Sequence, residues 1–74
     1  MDKQKRPTPL KVQYYREAAG LTRTELSRQL REQGFVITPR RIRGIEEDTA
    51  CVRTNDLFAF ARFFRIRVSD LFYE

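Results

Sequence analysis

Residues 20–47, GLTRTELSRQLREQGFVITPRRIRGIEE, decide how this chain folds, because they hold two helix starts in a row. Thr22 and Glu25 are spaced as a capping box, in which the hydroxyl accepts from the third helical N–H and the carboxylate reaches back to the cap N–H. Leu21 and Leu26 flank them as a hydrophobic staple. Leu26 and Leu30 then face inward with small Ser27 beside them, while Arg28, Arg31 and Glu32 face water. Gly34 is the expected stop. Phe35, Val36 and Ile37 bridge to a second start, where Thr38 is the N-cap and Pro39 takes the first helical position. Ile37 and Ile42 repeat the staple. Cap logic gives this second helix about eight to ten residues. Ile42 and Ile45 mark its buried side. Arg40, Gly44 and Glu47 point most directly away, with Arg41 and Arg43 on the two flanks.

The charge order of that helix is reversed. Helices favour acids near the N-terminus and bases near the C-terminus, yet Arg40, Arg41 and Arg43 come first and Glu46 and Glu47 last. Each misplaced arginine costs about 0.3–1 kcal/mol in an exposed setting. An anionic groove offsets that cost. Gly44 destabilises the helix by about 0.5–1 kcal/mol relative to alanine, which suits a helix that must approach a surface closely. On a purely solvated face, Arg43 would pair with Glu46 or Glu47 for a few tenths of a kcal/mol. That pairing does not account for Arg40 and Arg41, whose i+4 positions are Gly44 and Ile45.

Outward from this pair of helices the signals are simpler. Residues 1–8 are polar and basic and show no apolar period. Lys3, Lys5 and Arg6 there either touch a nucleic-acid backbone or belong to a solvated tail. A helix is expected over 9–19, with Pro9 in its first turn and Gly20 past its end. Val12, Tyr15 and Ala19 share one face of it, and Arg16 lies at the edge of that face. Residues 48–53 form a loop. Thr54 or Asn55 opens a helix to about Phe64, in which Leu57, Phe60, Ala61 and Phe64 make an inward stripe. Ile66 and Leu71 extend the core, and VSDLFYE over 68–74 makes a last short helix. The expected architecture is all-α: a compact bundle of five short helices over 9–74 behind a flexible basic arm over 1–8. Phe58, Phe63, Phe72 and Tyr73 are left over, either as an exposed aromatic surface for a second copy of the chain or as part of a larger core.

Composition narrows the function. The chain has 74 residues, a net charge of +5 and a pI near 10.0. Twelve of its fifteen basic residues are arginine, whose planar fork grips phosphates and guanine edges. That balance favours nucleic acid, then an acidic protein or membrane surface. There is no histidine, and Cys51 is the single cysteine. No Cys/His zinc site, Ser-His-Asp centre or internal disulfide can be assembled from such a chain. Cys51 reads as a small semi-buried apolar residue. No metal, cofactor or small-molecule ligand is expected. No apolar run reaches the length of a membrane span, and the first residues lack a signal-peptide pattern. The expectation is a cytoplasmic, intracellular non-enzyme.

REAAGLTRTELSRQL, ITPRRIRGIEE and LFAFARFFRIRVSDLF, in that order and spacing, resemble the Cro and phage-repressor (Xre-type) helix-turn-helix family. The resemblance covers about Val12 to Phe72. It implies a lambda-repressor-like bundle whose third helix enters the major groove of double-stranded DNA. By that likeness Thr38, Pro39, Arg40, Arg43 and Gly44 fall at base-contacting positions. Arg23, Arg41, Thr49 and Arg53 fall at phosphate-contacting ones. Arg16 and Glu46 match a family pair that forms an internal salt bridge. The implied function is a small sequence-specific transcriptional regulator of bacterial or phage type, a repressor acting as a homodimer. The alternative is an interaction module on the same fold, binding RNA polymerase, a toxin or another regulator. Two departures stand out. The stretch between Leu30 and Thr38 is longer than the tight turn common in the family, and Arg65 stands where the family often has glycine.

Overall fold

Each of the two capped starts becomes a helix. The computed structural model describes residues 10–47 and 51–72, and among them it contains four α-helices and one 3-10 helix, with no strand. They are α1 (Val12–Ala18), α2 (Arg23–Glu32), α3 (Pro39–Glu46), α4 (Thr54–Phe64) and a 3-10 helix (Val68–Leu71). At the start of α2, Thr22 Oγ1 accepts from the Glu25 N–H at 3.1 Å and Glu25 Oε1 accepts from the Thr22 N–H at 2.8 Å. The Thr22 backbone N–H, helped by the Thr22 side chain, holds the half-buried Glu25 carboxyl below the ordinary glutamate value of 4.5. At the start of α3, Thr38 Oγ1 accepts from the Arg41 N–H at 3.1 Å, with Pro39 in the first turn.

Three helices end in the same way. After α1, Gly20 N–H donates to Glu17 O and Leu21 N–H to Arg16 O. After α2, Gly34 N–H donates to Arg31 O and Phe35 N–H to Leu30 O. After α4, Arg65 N–H donates to Arg62 O and Ile66 N–H to Ala61 O. This paired closure needs a left-handed residue, normally glycine. Gly20 (φ +74°) and Gly34 (φ +94°) supply it twice, and Arg65 supplies it with φ 59° and ψ 48°. The long connection between α2 and α3 is therefore a helix closure followed by an extended segment over 35–38. Ser27, buried on α2, donates its hydroxyl to Ile37 O at 2.6 Å and fixes that segment to the bundle.

The core lies between α2 and α3 on one side and α4 with the 3-10 helix on the other. Phe60, Leu26, Leu30, Ile42, Ile45, Leu71 and Val12 are fully buried. α1 closes it: Val12 packs inward, and Lys11 N–H donates to Leu71 O at 2.7 Å. Tyr15 stacks on Phe64 with ring centroids 5.6 Å apart, and its hydroxyl donates to Asp70 O at 3.4 Å.

Several sequence expectations are corrected by this packing. α1 spans Val12–Ala18, shorter than the expected 9–19, with Lys11 N–H before it donating to Leu71 O; Pro9 lies outside the described residues. Ala19 is exposed and Arg16 takes the inward place beside Val12. On α4 the fully buried face is Asp56, Ala59, Phe60 and Ala61, while Leu57 and Phe64 are half-buried. α4 carries large apolar groups on every side, so its period alone does not choose the face. Phe63 is half-buried against the core, edge-on to Phe64 at 5.2 Å, whereas Phe58 and Phe72 are exposed. The last element is a single 3-10 turn. Cys51 is exposed rather than semi-buried. The basic arm, Thr49 and Tyr73 lie outside the described residues.

Candidate nucleic-acid interface

α3 is anchored by three buried side chains, Ile42, Ile45 and Glu46, and shows water a stripe made of Arg40, Arg43 and Glu47. These three sit at i, i+3 and i+7, one face of a helix. Gly44 beside them is half-buried, as is Pro39, while Thr38 at the cap is exposed. Arg43 Nε donates to Glu47 Oε2 at 3.1 Å, an i,i+4 pair on an open surface. Such a pair contributes about 0.3–0.5 kcal/mol, so the Arg43 guanidinium is free to exchange it for a better acceptor. Arg40 is exposed at the N-terminal end of the same face.

Glu46 turns away from that stripe into the bundle, and its side chain is 0 % exposed. Arg16 grips it from α1: Nε donates to Oε2 at 2.7 Å and Nη2 to Oε1 at 3.2 Å. A third donor of Arg16, Nη1, reaches Leu21 O at 2.8 Å. Arg23, the first residue of α2, adds a bond from Nε to Glu46 Oε1 at 2.9 Å. One carboxylate therefore holds two guanidiniums from two helices. The charge-assisted geometry with three filled donors on Arg16 is what makes burial of these ions tolerable.

Arg41 is placed differently from the other α3 arginines. Its Nη2 pairs with Asp56 on α4 and donates to Cys51 O at 3.2 Å. Asp56 is itself buried and accepts from the Arg53 N–H at 2.9 Å, capping α4. The phosphate role that the resemblance implies for Arg41 thus meets a guanidinium already engaged in latching α3 to the start of α4. Sequence reasoning missed Asp56, although its spacing from Arg53 matches the acidic half of a capping box. Its tertiary partner has no sequence signal. Arg53 is exposed at the N-cap of α4.

A short helix with an apolar back, two exposed arginines and a partner helix braced behind it is an arrangement suited to a polyanionic groove. A family model described as Helix-turn-helix matches residues 12–71. The chain belongs to the Xre/Cro-like helix-turn-helix family. This helix-turn-helix domain is a DNA-binding regulatory domain, with α2 and α3 as the motif and the 35–38 segment as its extended turn. No curated protein and no solved structure matches the chain. No described helix of the domain is long and apolar enough to cross a membrane, and no group of His, Cys, Asp or Glu suited to a metal ion occurs among the described residues.

Proposed function

We propose that this helix-turn-helix domain is a sequence-specific repressor of transcription that lays α3 in the major groove of double-stranded DNA inside the cytoplasm. The observation that carries the reading is the exposed Arg40–Arg43 face on a helix whose opposite face is locked into the core. Arg40 and Arg43 read base edges, with Thr38, Pro39 and Gly44 at close approach. Arg23, Arg53 and Thr49 contact phosphates on either side. Arg41 serves chiefly to set the angle between α3 and α4. Two copies bind half-sites about one helical turn apart. Exposed Phe58 and Phe72 support a homodimer contact there, to which Phe63 contributes an edge and Tyr73 belongs by sequence. Repression acts through occupancy of the site alone or through a partner.

Selection of bound duplexes from a random pool tests the reading. Arg40→Ala should then weaken binding by about 1–3 kcal/mol and relax specificity at one base position. A uniform loss across all sequences would turn Arg40 into a phosphate contact, and absence of any DNA binding at low salt would remove the proposal. One observation favours the second reading, a protein-interaction module. Val36 is 75 % exposed beside a groove of about 440 Å³ that Phe35, Asn55 and Ala59 also line.

A further inference from the structure

Among the charged groups behind the exposed face, Arg23 is the one whose geometry is not explained by stability alone. Arg16 already satisfies Glu46, bonding both carboxylate oxygens and holding a third acceptor at Leu21. Arg23 arrives as a second cation on the same carboxylate and attaches through Nε. Its side chain is 34 % exposed, against 10 % for Arg16. Glu17 Oε2 lies 3.8 Å from Arg16 Nη2, so the cluster holds two guanidiniums and two carboxylates, and its open side is Arg23. A bond at Nε fixes the plane of a guanidinium while the two Nη groups keep four N–H donors beyond it. That is the fork that matches two oxygens of a phosphate.

We infer that Glu46 is a positioning residue for Arg23, holding its guanidinium as a pre-oriented clamp for a DNA backbone phosphate. The inference rests on the DNA-binding reading above and deepens it. Holding the fork in place removes part of the entropy lost when a long side chain is immobilised on binding. Because Glu46 belongs to α3, the clamp on α2 is registered to the helix that faces the bases. A shift of α3 would move the phosphate grip with it. Lysine has charge without a fork or an Nε, so it cannot be held by Glu46 and present two donors at once.

Binding to a fluorescein-labelled mixed-sequence duplex of about 20 base pairs, titrated with salt, reads the phosphate contacts directly. Arg23→Gln should flatten the log–log salt dependence by about 0.9, the share of one phosphate. Arg23→Lys should keep the slope near that of the unmodified chain yet bind several-fold more weakly. In a background carrying Arg16→Met and Glu46→Leu, which replaces the ion cluster by apolar groups, Arg23→Gln should weaken binding less than it does in the unmodified chain. Thermal melts establish that each variant is folded. An unchanged slope in folded Arg23→Gln overturns the phosphate clamp. Full affinity in Arg23→Lys, or equal losses in both backgrounds, overturns the positioning by Glu46. If the unmodified chain fails to bind the duplex at all, the DNA reading falls first and this inference with it.

Discussion

Replacing Glu46 by alanine is the sharpest test of how this fold is held. The carboxylate is fully buried and is the counter-charge of Arg16, whose side chain is 10 % exposed. Arg23 is exposed enough to swing into water when Glu46 is lost. Arg16 is not, and keeps the carbonyl of Leu21 as an acceptor. Breaking a buried pair from one side leaves an uncompensated ion and costs about 3–5 kcal/mol. Arg16 keeps its bond to Leu21 O and has the Glu17 carboxylate 3.8 Å from Nη2, so the lower end of that range, about 3 kcal/mol, is expected. A chain of this length has a total stability of about 4–11 kcal/mol, so the loss is a large fraction of it. In urea, with a slope near 1 kcal/mol/M for a small domain, the unfolding midpoint should fall by about 3 M. Circular dichroism at the helical minimum measures it. Removing both partners is the control. Arg16→Met with Glu46→Leu leaves no buried charge and should recover most of the stability, since apolar replacement of a whole buried pair is often neutral or stabilising. A Glu46→Ala midpoint equal to that of the unmodified chain would refute the reasoning, because the pair would then contribute nothing net.

Two further outcomes follow from local geometry. Arg65 sits in the left-handed region at a helix end where Gly20 and Gly34 perform the same closure, so Arg65→Gly should raise stability. The steric relief of about 1–2 kcal/mol exceeds the 0.5–1 kcal/mol by which glycine loosens the unfolded chain. The net gain, somewhat under 1 kcal/mol, appears as a melting temperature higher by a few degrees; a lower one would count against the closure argument. Glu25 has a folded pKa below its ordinary 4.5, so its capping bond stabilises the fold above that value and is lost as the pH falls through the folded pKa. Glu25→Ala should therefore be less stable than the unmodified chain at neutral pH, with the gap closing as acid is added. A gap that stays constant down to strongly acidic pH would exclude the charge-dependent part of the cap.

What was legible in the sequence was local. Thr22 with Glu25, Thr38 with Pro39, and Gly34 each act within five residues along the chain, so their bonds form wherever a helix forms and the order of residues suffices to place them. The inward faces of α2 and α3 were legible for the same reason, because each carries its apolar residues on one side only. The ordered motifs added the family, and with it the expected partnership of Arg16 and Glu46.

Tertiary structure decided the rest, where the partners lie far apart in sequence or the period is ambiguous. The docking of α1 on the 3-10 helix uses a backbone bond from Lys11 to Leu71, sixty residues on. The buried face of α4 depends on its neighbours, since Leu57, Phe58, Phe60, Phe63 and Phe64 ring the helix with apolar groups. Four arginines look alike in the sequence around the motif, and only packing separates them. Arg40 and Arg43 meet water, Arg41 meets Asp56 fifteen residues on, and Arg23 shares the carboxylate of Glu46 twenty-three residues on. A guanidinium reaches several ångströms from its backbone and carries the same charge everywhere. Its role is set by the acceptor that the folded chain brings within reach, and residue type alone does not encode where that acceptor lies.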